Sequence, residues 1–233
     1  MVITIDNLLS AGDVVKAKTV LRNGRFIDGR ATSNVALTVK NNRELEVGEH
    51  YVSLVELVDN ALRQSKEIER KLFPRFMTRP IINRYESGMF YKEHVDTSIQ
   101  GLYTQFGRSM APYGHGFVRA DFSMTLFLDD PSNYDGGELE MTICGEKRLY
   151  KLSVGSAVFY PTGNLHSVRP VTRGTRTAAI VWLQSMVRHS ENRQLLWDAY
   201  NMYERINQSM PGSQESFLAI NHYHNLLRLF ADV

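Results

Sequence analysis

Phe90-Tyr91-Lys92-Glu93-His94-Val95-Asp96 sets an imidazole and a carboxylate two positions apart on a stretch that reads as extended. In a strand, or at its frayed end, side chains at i and i+2 leave the same face, so His94 and Asp96 project together while Val95 turns away. His166 lies far downstream, after Tyr160-Pro161-Thr162-Gly163-Asn164-Leu165, and is the candidate third member of the set. Two imidazoles and one carboxylate form the group that holds a non-haem Fe(II) on one face and leaves the other face open. A fold that uses them must bring two distant strands together.

Arg176 follows His166 by ten residues and opens the apolar run Thr175-Arg176-Thr177-Ala178-Ala179-Ile180-Val181-Trp182-Leu183. A strand carrying His166, a turn through Pro170 to Gly174 and a paired return strand would place the guanidinium near the metal. There it would meet a co-substrate carboxylate with a fork of donors.

The surrounding pattern is mainly strands. Pro80 to Tyr85, the half-buried alternation Asp121 to Leu128, and short runs at 138–143, 147–152 and 157–160 are separated by glycine turns. Helical spacing precedes them: Ser10 is a candidate N-cap for the helix that follows, and Glu49 to Lys71 is one long helix or two joined near Ser65. After Met186 two helices return, 191–206 and one started by Ser213 and Glu215. The fold class expected is α+β, mainly β: a double-stranded β-helix, or jelly roll, over residues 1–186 with supporting N-terminal helices, and a C-terminal helical hairpin over 187–233. The glycine-rich connection Thr97 to Arg119 is long for a compact domain and is the candidate substrate-contact loop.

Composition excludes more than it selects. The 233 residues suffice for a full core, and 27 basic against 25 acidic residues leave a net charge of +2, with no dense Lys/Arg block pointing to nucleic acid. Cys144 is the only cysteine, which rules out an internal disulfide framework or a thiolate cluster, and it reads as a small buried strand residue. The first ten residues lack a basic n-region, and no window reaches the roughly 20 apolar residues that span a bilayer, so a cytoplasmic protein with no membrane partner is expected. No dinucleotide fingerprint, phosphate loop or nucleophile elbow is present.

Seven segments carry a closer likeness: Asn83-Arg84-Tyr85, His94-Val95-Asp96, Asp121 to Leu128, Asp135-Gly136-Gly137-Glu138-Leu139, Tyr160 to His166, Val171 to Arg176, and Trp182 to Met186. In these, and nearly end to end, the chain resembles the PKHD-type hydroxylases, a bacterial branch of the Fe(II)/2-oxoglutarate dioxygenases related to prolyl 4-hydroxylases. The resemblance implies that His94, Asp96 and His166 ligate Fe(II) and that Arg176 pairs with the distal carboxylate of 2-oxoglutarate. It further implies that Tyr85 or Tyr91 donates a hydroxyl to the same co-substrate, and that O2 and L-ascorbate complete the cofactor set. The activity it implies is hydroxylation of an unactivated C–H bond, on a prolyl or other amino-acid side chain or a small molecule, with release of succinate and CO2.

Two other readings of the same residues stand beside this one. A jelly-roll metalloenzyme using the three ligands without 2-oxoglutarate would need no arginine in the pocket. A partner-binding module, or a homo-oligomer contact, would use the apolar stripe of the C-terminal helices.

Overall fold

The computed structural model describes residues 2–29, 36–101 and 116–233, together with the backbone at 103–104 and 107–108. The chain begins with β1 (Ile3–Ile5), α1 (Ala11–Asn23), β2 (Phe26–Asp28), β3 (Lys40–Asn41), β4 (Arg43–Leu45) and α2 (Glu49–Gln64). Next come α3 (Lys66–Leu72), β5 (Pro74–Met77), β6 (Ile81–Glu86), β7 (Phe90–His94), β8 (Ile99–Gly101), β9 (Tyr103–Thr104) and β10 (Gly107–Arg108). The middle of the chain holds β11 (Phe117–Arg119), β12 (Phe122–Phe127), β13 (Asp135–Gly136), β14 (Leu139–Ile143) and β15 (Glu146–Tyr150). Last are β16 (Ala157–Pro161), β17 (His166–Val168), β18 (Val171–Arg173), β19 (Thr175–Ser185), α4 (Ser190–Ser209) and α5 (Gln214–Phe230).

Two antiparallel sheets make the jelly roll. The larger contains the order β1-β16-β12-β19-β6-β4-β2, and the smaller runs β15-β14-β17-β7-β3. One core cluster joins Phe127, Val158 and Tyr160 of the larger sheet to Leu139 and Met141 of the smaller. Fully burying a side chain such as Phe127 contributes about 1.5–3 kcal/mol, so this seam is a main source of the sandwich's stability. A second link is ionic. Lys40 on β3 and Glu44 on β4 are 5% and 3% exposed and meet at 2.8 Å, while the Lys40 ammonium also donates to the Gly29 carbonyl at 3.0 Å.

Local signals explain the helices. Ser10 caps α1 by accepting from Asp13 N, and Ser65 caps α3 by accepting from Ile68 N. The long helical pattern is therefore two helices, because the Ser65 side chain satisfies a donor that a continuous helix would have bonded to backbone. On α2 the buried positions Tyr51, Leu54, Val55, Val58 and Leu62 recur at three- and four-residue steps.

The chain divides into two compact units, Met1–Gln64 with Met77–Leu183, and Ser65–Phe76 with Gln184–Val233. In the second, Phe73, Val187 and Leu196 form a small core with Tyr223, Leu226, Leu227 and Phe230 packed against it. Arg70 lies over the Tyr200 ring and Lys71 over Trp197, so cationic stems of α3 cover aromatic faces of α4.

Several expectations change. β12 is buried at all six positions rather than alternating, because it is flanked by β16 and β19 inside the larger sheet. β19 is not the hairpin partner of the His166 strand: β17 pairs β14 and β7 in the smaller sheet, whereas β19 pairs β12 and β6 in the larger. The short strand β18, paired with β13, carries the crossing. Cys144 is exposed, in the left-handed turn between β14 and β15 with φ 51°, so it is not a buried strand residue. The base of the 97–119 connection is the strand pair β8 and β11, whereas Leu102, Gln105, Phe106 and 109–115, His115 among them, lie outside the described residues.

The crossing depends on glycine. Gly136 has φ +70°, and a Cβ there would strike the carbonyl oxygen of Pro170. Gly136→Ala is expected to cost about 1–3 kcal/mol through backbone strain and that collision, seen as a lower urea midpoint. An unchanged midpoint would refute this account of the turn.

Candidate metal centre and its cavity

His94 ends β7 and stands opposite His166, the first residue of β17, in the strand register. The next pair is Val168 with Tyr91, so three residues of β7 span the distance covered by two of β17. This bulge re-aims β7 at its end. It brings Tyr91 and His94 onto one face despite their three-residue separation, and their rings stack with centroids 3.6 Å apart.

Asp96 lies two residues beyond the end of β7. Its Oδ1 is 3.8 Å from His94 Nε2 and its Oδ2 is 3.7 Å from His166 Nε2. Ligand atoms of the three side chains all fall within 4.8 Å of one another, the one such cluster of His, Cys, Asp or Glu among the described residues. Each imidazole is oriented from behind: Nδ1 of His94 is 2.7 Å from the Lys92 carbonyl, and Nδ1 of His166 is 2.9 Å from the Asn164 carbonyl. Donation from Nδ1 fixes the tautomer in which Nε2 keeps its lone pair, facing the carboxylate. Burial, with the neighbouring His166 adding to it, pushes the His94 imidazole down to about 4, so the ring is neutral and ligand-competent at neutral pH.

The cluster opens into a cavity of ≈ 140 Å³ that Tyr85, Tyr91 and Arg176 also line. Arg176 stands opposite Tyr85 in the β19–β6 register and is 1% exposed. Its Nε, Nη1 and Nη2 are all buried without a hydrogen-bond partner, and its Cζ lies 5.4 Å from the ring centroids of both Tyr85 and Phe127. A guanidinium in this state presents its donors for an anion entering the cavity. Burial pushes the Tyr85 hydroxyl up despite Arg176, and pushes Tyr91 up to about 12, so both are neutral donors.

The fit to an iron and a dicarboxylate co-substrate is therefore good on two counts. The three-membered donor set is of the type Fe(II) takes. The orphaned guanidinium supplies the charge partner that a buried carboxylate requires.

All six residues singled out from the sequence line this one cavity. Others were not foreseen. Lys40, Glu44, Asn83, Gln100 and Trp182 also line it, and Ser123 donates to Asp96 Oδ2 at 2.7 Å. Asn42 holds Asn83 in place through Nδ2 donation to Asn83 Oδ1 at 3.0 Å. No helix among the described residues is long and apolar enough to cross a membrane.

Comparison with known proteins agrees with this geometry. Residues 80–184 match the model of the 2OG-Fe(II) oxygenase superfamily. Over 235 aligned residues, and the whole of both chains, the sequence is 34% identical to the PKHD-type hydroxylase YbiX of Escherichia coli K12. A prolyl-4-hydroxylase of Pseudomonas putida has a similar fold, with TM-score 0.51 and 18% identity over 78% of this chain and 92% of that one. A 2OG-Fe(II) family oxidoreductase of Burkholderia pseudomallei gives TM-score 0.55 and 16% identity over 81% and 86%. With full-length identity at this level, the chain belongs to the PKHD-type hydroxylases, Fe(II)- and 2-oxoglutarate-dependent dioxygenases that act on organic substrates.

Proposed function

We propose that His94 Nε2, Asp96 and His166 Nε2 hold the Fe(II), and that Arg176 receives the distal carboxylate of 2-oxoglutarate. The observation that carries this reading is the Arg176 guanidinium, buried with three unpartnered nitrogens in the same cavity as the three ligands. When bound, iron and 2-oxoglutarate with O2 supply the oxidising chemistry that releases succinate and CO2 and hydroxylates a C–H bond.

The chain's residues bind, orient and exclude. Backbone carbonyls behind the two histidines accept from Nδ1, which selects the tautomer whose Nε2 carries the lone pair and aims that atom inward. Tyr85, opposite Arg176, is the better-placed hydroxyl donor to the co-substrate, whereas Tyr91 stacks on His94 and stiffens it. The apolar side chains Leu139, Val168 and Ile180 on the cavity wall keep bulk water from the reacting centre.

The substrate assigned to this site is an amino-acid side chain, prolyl among the candidates, or a small molecule of similar size. Its support is the family and the prolyl-4-hydroxylase fold likeness. Ascorbate as a reductant of the iron and a cytoplasmic location belong to the same reading, the first from the family resemblance and the second from the single cysteine. Self-association through α5 is supported by Phe217, Leu218 and Leu229, each more than half exposed. A metalloenzyme that ignores 2-oxoglutarate would leave Arg176 without a task, so the orphaned guanidinium counts against that alternative.

Anaerobic titration of the Fe(II)-loaded protein with 2-oxoglutarate tests the assignment. A saturable charge-transfer absorption, followed by succinate on admitting O2, is expected. Absence of both in a folded, iron-loaded sample would reject it.

A further inference from the structure

Asp96 has no strand to hold it. It follows the end of β7 on irregular backbone, so no ladder of backbone hydrogen bonds fixes the direction of its carboxylate. What reaches it is Ser123, the fully buried second residue of β12, whose strand neighbours are Tyr160 on β16 and Trp182 on β19. Ser123 Oγ lies 2.7 Å from Asp96 Oδ2 and 3.2 Å from Thr162 Oγ1. A serine hydroxyl has one hydrogen. The shorter contact has the length of a charge-assisted bond to a carboxylate, so the proton points to Asp96 and Thr162 donates to Ser123.

Thr162 is 3% exposed and belongs to the turn that delivers His166. In that turn the Asn164 carbonyl accepts from His166 Nδ1. One hydrogen-bonded path thus runs from the backbone that aims His166, through two buried hydroxyls, to Asp96. Both hydroxyls would cost free energy at these positions if unpaired, and an alanine at 123 would pack on the strand without that demand.

We propose that Ser123 is a positioning residue for the metal-ligating carboxylate, with Thr162 orienting its hydroxyl. Donation to Oδ2 commits that oxygen to the protein and leaves Oδ1 as the oxygen offered to the ion. The consequence is chemical. A carboxylate binding through one oxygen completes a three-donor set, whereas both oxygens would occupy a further position needed by the co-substrate. A second role is rigidity, because a ligand on loose backbone is placed only as well as the groups supporting it. This inference rests on the assignment of Asp96 as a metal ligand.

Co(II) is a suitable probe, since its visible d–d absorption reports donor number and geometry without turnover. Metal-free full-length protein and the variants Ser123→Ala, Ser123→Thr and Thr162→Val are titrated with Co(II), and each is melted to establish folding. Ser123→Ala is expected to bind Co(II) about 10- to 100-fold more weakly with an altered d–d spectrum, and Ser123→Thr to return within about threefold of the unsubstituted protein. Thr162→Val should shift both readouts in the same direction and less.

Folded Ser123→Ala with unchanged affinity and spectrum would overturn the proposal. So would a loss in Ser123→Ala that Ser123→Thr does not recover, since the effect would then be packing. If Ser123→Ala does not fold, Thr162→Val decides, and an unaltered spectrum and affinity there would overturn it equally. Failure of the unsubstituted protein to bind Co(II) would instead refute the metal assignment itself.

Discussion

Asp96→Ala is expected to lower Fe(II)-dependent succinate formation from 2-oxoglutarate by at least about a thousandfold, equivalent to about 4 kcal/mol of barrier. The chain should still fold. Asp96 sits on irregular backbone outside both sheets, and among the described residues its side chain pairs with His94, His166 and Ser123, all groups of the site, so its loss removes little core packing. In the metal-free protein the carboxylate also faces a His94 imidazole that is neutral at pH 7, so little Coulombic energy is lost with it. Thermal melting should therefore show a shift of only a few degrees, the size of about 1 kcal/mol in a chain this long. His94→Ala should match it in activity and lose somewhat more stability, because the Tyr91 ring loses its stacking partner. A folded Asp96→Ala protein that still released succinate at the unsubstituted rate would dismiss the triad as the metal centre.

The part of this site legible in the sequence is the part governed by short-range periodicity. His94 and Asp96 declare themselves because two-residue spacing on an extended segment puts them on one side. Ser10, Ser65 and Ser213 mark helix starts because an N-cap is a local hydrogen bond, three residues long. The ten-residue spacing brings Arg176 to the cavity of His94, Asp96 and His166 for an incomplete reason. The Pro170–Gly174 stretch is short enough for a hairpin, yet the chain uses it, with β18, to cross from the smaller sheet to the larger. Ten residues separate His166 from Arg176 in either geometry, so spacing does not distinguish them.

Other features depend on register between distant strands and leave no local trace. The bulge in β7 places Tyr91 beside His94, contrary to strict alternation, and only the pairing with β17 reveals it. Ser123 looks like one more small residue in an apolar strand until β12 is set beside the end of β7. Lys40 and Glu44 are four apart, the spacing of a helical ion pair, but they belong to two strands of different sheets and meet inside the cavity wall. Charge patterning read with a helical period would have placed them on a solvated face.

Replacing Arg176 with methionine should move stability and function in opposite directions. The guanidinium is 1% exposed, and none of its three nitrogens has a hydrogen-bond partner. Two aromatic faces at 5.4 Å return about 0.5–2 kcal/mol against a desolvation cost of several kcal/mol per buried ion. The empty protein therefore carries a net penalty at this position. Methionine retains a long flexible stem, which suits the tight packing here, where even a Cβ on Gly137 would meet Arg176 Cδ at 3.0 Å. Arg176→Met is expected to gain about 1–4 kcal/mol without ligand, or a melting temperature higher by about 2–4 °C for each kcal/mol. The affinity for 2-oxoglutarate should fall by at least about a hundredfold, since two charge-assisted hydrogen bonds worth about 1.5–3 kcal/mol each are lost. An arginine that served the fold would behave otherwise: its removal would lower the melting temperature and leave co-substrate binding near normal. Thermal melts in the absence of metal, paired with anaerobic 2-oxoglutarate titration of the iron-loaded protein, read both signs independently. On the proposed assignment the buried charge is half of an ion pair whose other half arrives with the co-substrate, and a destabilised variant that still bound 2-oxoglutarate would contradict that account.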